Sequence, residues 1–185
     1  MNGLILIGGQ SFRMKTDKSL LNYHGKSQRE ILFDLTKKYC SEVYFSCRAE
    51  QNITDFCIID EYLLGPIGGI LSAFEQDKNV AWLVIACDMP FINETHFEFL
   101  VNNRNQAKMV TAFFNLETNA PDPLFTIYEP KAFNSLLTYI NSGNRSPKKF
   151  LQNADVQLIT LENSEFLQNI NTQDAFEKTI SQIIG

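Results

Sequence analysis

Nowhere does the chain carry an uninterrupted apolar stretch near the roughly 20 residues that a membrane helix requires, so no membrane partner is expected. Cysteine is sparse. Cys40, Cys47, Cys57 and Cys87 are spaced by 7, 10 and 30 residues with no C-x-x-C pair, which argues against a zinc site and predicts buried free thiols in a cytoplasmic protein. Positive charge is short as well: the formal net charge is -5, and nucleic-acid binding without sequence preference needs a basic face, so no nucleic-acid partner is expected. There are only two histidines. His24 lies in a loop-like "NYHGK" and His96 is expected on the exposed side of a helix; with no carboxylate obviously paired to either, no catalytic role is assigned to them. Two familiar phosphate-binding spacings are also missing, G-x-x-x-x-G-K-[ST] and G-x-G-x-x-G.

What is present is an ordinary globular composition, 44% hydrophobic and 20% charged over 185 residues, enough for one domain spanning 1–185 with a sizeable core. Charge is unevenly placed. Residues 1–30 hold Arg13, Lys15, Lys18, Lys26 and Arg29 against Asp17 and Glu30, a local balance of +3 that leaves -8 on the rest. A basic opening on an acidic chain suits one anionic small ligand.

Apolar runs alternate with helical periods. A first strand at "LILI" is followed by a loop and by a helix starting near Ser27. Strands are expected at 42–47 and 56–60, then a helix at 66–78 opened by Pro66. "AWLVIACDMP" (81–90) is apolar on both faces, as a central parallel strand should be, and ends on a carboxylate. Asn93 is placed to cap the next helix, and a strand follows at 109–114. Residues 115–122 read as polar and irregular; a strand at 123–129, helices near 131–141 and 147–151, a strand at 156–161 and a helix over about 172–184 complete the pattern. This is an α/β three-layer arrangement with a mainly parallel sheet, whose ligands sit at the carboxyl ends of the strands.

Three stretches carry chemistry. In "LILIGGQSFRMKTDKSLL", Gly8 and Gly9 after a strand let successive N–H groups point at one anion, and Ser11, Arg13 and Lys18 follow within ten residues. A plain turn with solvated charges is the alternative, and it leaves that clustering unexplained. In "ACDMP", Asp88 emerges at a strand end, where a carboxylate can hold Mg²⁺ beside phosphate oxygens or merely make a turn; Asp60 has the same two readings. In "GPIGGILS", Gly65, Gly68 and Gly69 crowd a helix start, which implies close backbone contact with either a ligand base or a packed strand.

Together with "NINTQDAF" (169–176), these motifs, in this order, resemble nucleotidyltransferases of the glycosyltransferase-A-like, Rossmann-like fold, and within them the molybdenum cofactor guanylyltransferases. The resemblance covers essentially the whole chain. It implies a mixed, mainly parallel sheet and transfer of GMP from GTP to the terminal phosphate of molybdopterin or Mo-molybdopterin, with pyrophosphate released and Mg²⁺ as cofactor. Carried over by position, Leu6, Gly8, Gly9 and Lys18 would contact GTP, Asp60 its nucleoside part, and Asp88 both Mg²⁺ and nucleotide, with Asn171 near the metal or phosphates. Gly8-Gly9 with "GPIGG" favours guanine over the alanine-glycine loop of the related cytidylyltransferases. Departures are Ile7 for an alanine, Lys15 for a glycine, and Arg48 where some relatives use an asparagine for the nucleotide.

A phosphate nucleophile has its second pKa near about 6 and needs no general base, so the demand is for positioning and charge neutralisation. Arg13 and Lys18 would offset charge on the pyrophosphate. "GNRSPKKF" (143–150), with Arg145, Lys148 and Lys149, is a second basic cluster and a candidate for the pterin substrate, although any single lysine there has a solvated surface as its plain reading. Other molybdenum cofactor biosynthesis proteins are candidate partners. Competing readings are a CTP-dependent or sugar-phosphate nucleotidyltransferase, and a non-catalytic nucleotide-binding module.

Overall fold

The structure, a computed structural model, describes residues 1–7, 22–23, 26–51, 53 and 55–170. Its elements in chain order are β1 (Asn2–Leu6), β2 (Asn22–Tyr23), β3 (Lys26–Ser27), α1 (Gln28–Lys37), β4 (Val43–Cys47), β5 (Cys57–Ile59) and α2 (Pro66–Gln76). They continue with β6 (Trp82–Ala86), α3 (Glu94–Asn102), β7 (Val110–Asn115), β8 (Ala120–Tyr128), α4 (Ala132–Asn141), α5 (Pro147–Asn153) and β9 (Val156–Ile159). The helix expected over about 172–184 lies outside the described residues.

Helix starts follow local chemistry. Ser27 precedes α1 and its N–H donates to Glu30 Oε2 at 2.8 Å, as in a capping box. Pro66 opens α2, where its missing N–H costs nothing. Asn93 caps α3: its Oδ1 accepts from His96 N at 3.3 Å, and His96 Nδ1 accepts from Asn93 N at 3.2 Å.

Seven strands form one sheet in the order β5-β4-β1-β6-β8-β7-β9, while β2 and β3 make a small antiparallel pair. β5, β4, β1 and β6 run parallel; β8 is antiparallel to both β6 and β7, and β9 rejoins parallel to β7. The expected mixed, mainly parallel sheet is therefore observed. Strand alternation sends Ile5, Leu83 and Ile85 to the face covered by α1 and α3, with Leu32, Phe97 and Leu100 opposite them. Leu4, Leu6, Trp82 and Val84 face α2, α4 and α5 through Ile70, Phe74, Leu136 and Phe150. Central β6 is buried along its whole length, which explains why its sequence is apolar on both sides.

Two expectations change. Cys47 and Cys57 are joined as a disulfide rather than left as thiols, because parallel pairing of Phe45 with Cys57 and Cys47 with Ile59 brings their Cα atoms to 6.4 Å, inside the usual span. Cys40 and Cys87 are buried, and burial pushes the Cys40 thiol up to about 12. The second change concerns residues 115–122. They close a hairpin between β7 and β8, and β8 already begins at Ala120.

Candidate active site

Because β1, β4, β5 and β6 are parallel, their carboxyl ends open on one edge, and the residues that follow them gather there. Leu6 pairs with Ser46 on one side and Ala86 on the other. Main-chain bonds extend this alignment past the strand ends: Ile7 N donates to Ser46 O at 3.1 Å, Cys87 N to Leu6 O at 3.1 Å, and Asp60 N to Cys47 O at 2.8 Å. Leu6, Arg48, Asp60 and Asp88 thus line one edge. Gly8, Gly9, Arg13, Lys18 and Asn171 lie outside the described residues.

Arg48 follows β4. Its N–H is received by Gln51 Oε1 at 2.8 Å, and Gln51 Nε2 reaches back to Ile7 O at 3.3 Å, so this side chain ties the β4 loop to the end of β1. The guanidinium lies 3.4 Å from Glu50, while its Nε is buried with no hydrogen-bond partner among the described residues. A buried, unmatched donor at a ligand edge is a place for an acceptor.

Asp60 is buried after β5, and its Oδ1 accepts from the N–H groups of Tyr62 and Leu63, each at 3.1 Å. Burial pushes its carboxyl above the usual range, and those two N–H groups pull it part of the way back. The crowded glycines of α2 find their reason here. A Cβ on Gly68 would lie 2.6 Å from Asp60 Oδ1, and one on Gly69 would collide with Ser46 Oγ on β4. Of the two readings for that glycine pair, the packed strand and carboxylate occupy the space.

Asp88 is half-buried just past β6, with Oδ1 out of solvent. Its carbonyl accepts from Ile170 N at 2.8 Å, so the chain immediately before Asn171 is fastened at Asp88. Among the described residues no group of three or more His, Cys, Asp or Glu gathers around a common point. His96 differs from expectation. It is half-buried, its ring stacks on Phe166 with centroids 4.1 Å apart, and burial lowers its pKa.

One residue escaped the sequence reading. Between the pairs Ala112–Thr126 and Phe114–Pro121 the chain takes two steps along β7 but five along β8, so β8 bulges across Asp122, Pro123 and Leu124. The bulge is internally bonded. Asp122 Oδ1 accepts from Leu124 N at 2.9 Å and Phe125 N at 3.0 Å, Thr126 Oγ1 donates to Asp122 O, and Tyr128 Oη donates to Pro123 O at 3.0 Å. It sits next to the last β6–β8 pair, Ile85 with Phe125, and so beside Asp88. Burial raises the Asp122 pKa foremost; the two N–H groups oppose this, Asp88 raises it further and Lys148 lowers it. Of the second basic cluster, Lys148 is half-buried on α5, whereas Arg145 and Lys149 are exposed and Arg145 turns its guanidinium toward the carbonyls of Ile140 and Asn144, each at 3.3 Å.

A three-layer α/β fold with polar and acidic residues collected at the carboxyl edge of parallel strands is of the Rossmann-like class, whose ligands sit at that edge. The family model described as MobA-like NTP transferase domain matches residues 3–158, and the chain belongs to that family of nucleotidyltransferases. It is 36% identical over 181 residues to the molybdenum cofactor biosynthesis bifunctional protein of Synechocystis sp., covering 94% of this chain but 52% of that protein, so it spans about half of that relative's length. It is 28% identical over 182 residues to a protein of Trichormus variabilis named "Probable molybdenum cofactor guanylyltransferase", covering 94% of this chain and 87% of the other. The solved structure of molybdopterin-guanine dinucleotide biosynthesis protein A from Archaeoglobus fulgidus shares the fold, with a TM-score of 0.79, 23% identity and coverage of 98% of each chain.

Proposed function

We propose that this chain, acting as a single domain in the cytoplasm, transfers GMP from GTP to the terminal phosphate of molybdopterin, forming the guanine dinucleotide and pyrophosphate. The observation that carries the reading is Asp88: a half-buried carboxylate at the end of the central strand, in a family of nucleotidyltransferases whose near-full-length relatives are named for guanylyl transfer to this cofactor.

In the proposed reaction an oxygen of the acceptor phosphate attacks the α-phosphorus of GTP, and the bond to the β-phosphate oxygen breaks in line. The acceptor is already largely ionised at neutral pH, so no side chain has to remove a proton. Catalysis is then positioning and charge neutralisation. Leu6 and the Gly8-Gly9 main chain would seat the nucleotide, Arg13 and Lys18 would take up charge on pyrophosphate, and Arg48 Nε offers a donor to the nucleotide. Asp60 would contact the nucleoside part.

Mg²⁺ is the metal that fits. It favours one or two carboxylates with phosphate oxygens over an all-protein cage, and Asp88, half-buried past the end of β6, would be such a ligand. Bound there, the ion would supply charge stabilisation at the α-phosphate. Asn171, directly after the Ile170 N–H bonded to Asp88 O, is a second candidate near it.

The test is pyrophosphate release from GTP, CTP and UTP with Mg²⁺ and molybdopterin supplied together. Release with GTP, and not with CTP or UTP, is expected when molybdopterin is present; preference for CTP, or release independent of molybdopterin, would refute the assignment. Asp88→Asn should lose about 100- to 1000-fold in turnover, the usual cost of one electrostatic contact to a developing charge, with an unchanged thermal melt.

A further inference from the structure

In a parallel ladder a bonded residue donates to the residue before its partner and accepts from the residue after it. β1 and β4 obey this along their length: Gly3 pairs with Val43 and donates to Glu42 O at 2.8 Å, and at the far end Ile7 N donates to Ser46 O at 3.1 Å. The next bond of that ladder would run from Arg48 N to Ile7 O. Neither group uses the other. Arg48 N donates to Gln51 Oε1 at 2.8 Å, and Gln51 Nε2 donates to Ile7 O at 3.3 Å. The Gln51 carboxamide is thus inserted where one ladder bond belongs, giving an acceptor to one strand and a donor to the other.

Local structure delivers the amide to that place. A single 3₁₀ turn over Ala49–Gln51, closed by Gln51 N on Arg48 O at 3.0 Å, brings the side chain back over Arg48. On the other side of β4, Cys47 O still accepts from Asp60 N at 2.8 Å, so β4 keeps its bond to β5 while an amide separates it from β1. Direct pairing of Arg48 N with Ile7 O would satisfy both main-chain groups without any side chain. What the inserted amide adds is width, at the edge where ligands of this fold class enter. Arg48 Nε is buried beside it with no hydrogen-bond partner among the described residues, and Glu50, 3.4 Å from Arg48 Nη1, faces the guanidinium without occupying Nε.

We propose that Gln51 is a positioning residue for the nucleotide: its carboxamide holds the ends of β1 and β4 apart, so that the Arg48 main chain does not close onto Ile7 and the Arg48 Nε donor is kept in place for GTP. The inference rests on the guanylyl-transfer reading, which makes GTP the ligand of this edge, and deepens it by naming the group that sets Arg48 there.

Gln51→Ala removes the amide and lets Arg48 N pair with Ile7 O. Affinity for GTP is measured by calorimetric titration with Mg²⁺ present, and steady-state rates are measured with GTP and molybdopterin varied in turn. Gln51→Ala should raise Kd for GTP by about three- to tenfold, the scale of one misplaced hydrogen bond, with KM for molybdopterin within about twofold of wild type. Arg48→Met should raise Kd for GTP by about ten- to a hundredfold, the usual effect of losing a charge-assisted hydrogen bond. The double variant should stay within about twofold of Arg48→Met, because Gln51 acts through the arginine. Gln51→Asn, which keeps an amide but is one methylene too short to reach both Arg48 N and Ile7 O, should match Gln51→Ala and serves as the second variant if that one folds poorly. A GTP Kd unchanged in both Gln51 variants, equal rises for both substrates, or additive losses in the double variant would overturn this inference while leaving guanylyl transfer intact. A wild-type protein that binds no GTP overturns both.

Discussion

At the scale of single residues, His96 shows how burial gives a side chain a pH signature without a catalytic task. Its ring is stacked on Phe166, and its Nδ1 accepts the Asn93 N–H that would otherwise be an orphan of the α3 start. Burial lowers its pKa in the folded state below the ordinary 6.5. The unfolded chain therefore takes up this proton first as pH falls, and stability is lost as pH drops through and below the ordinary imidazole value. Urea midpoints measured on either side of that value should show this slope, and His96→Gln, which keeps an acceptor but does not titrate, should flatten it. Asp60 is the complementary case: a carboxylate made costly by burial and held ionisable by two backbone donors.

At the scale of elements, α2 is decided by what its first turn must avoid. Gly68 and Gly69 lie in a helix interior, where glycine costs about 1 kcal/mol relative to alanine, and they are explained by the Asp60 carboxylate and by Ser46 packed against them. Gly69→Ala should destabilise by about 1 to 3 kcal/mol through overpacking against Ser46 and Leu6, read as a shift of the urea midpoint. Gly68→Ala should act differently, displacing the carboxylate and raising KM for GTP more than KM for molybdopterin. The β8 bulge is the other decisive element, since it turns an otherwise regular antiparallel strand into the carrier of Asp122.

At the scale of the whole molecule, β6 is the axis. It pairs with β1 in parallel and β8 in antiparallel, is covered on both faces, and ends at Asp88. Ile85 is fully buried within it, against the core shared with Phe97, Phe113 and Phe125. Ile85→Ala should cost about 2 to 5 kcal/mol in denaturant unfolding, a large share of a typical domain's stability. Most elements on either side of this axis were legible from periodicity and caps: Ser27, Pro66 and Asn93 mark helix starts where they were expected. Asp122 was not legible. "NAPDPLF" has two prolines and no apolar alternation, and a bulge breaks the period on which a strand is recognised.

The sequence by itself determined the order of strands and helices, the apolar central strand ending in Asp88, and the motif resemblance, because burial periods, caps and turn residues act over a few neighbouring positions. Only the tertiary structure decided which strands lie side by side. That choice set β8 against β6 and so Asp122 beside Asp88, brought Cys47 to Cys57, and filled the space over Gly68 with a carboxylate. Such pairings join residues far apart in the chain, and they follow from the summed packing of two cores rather than from any local pattern.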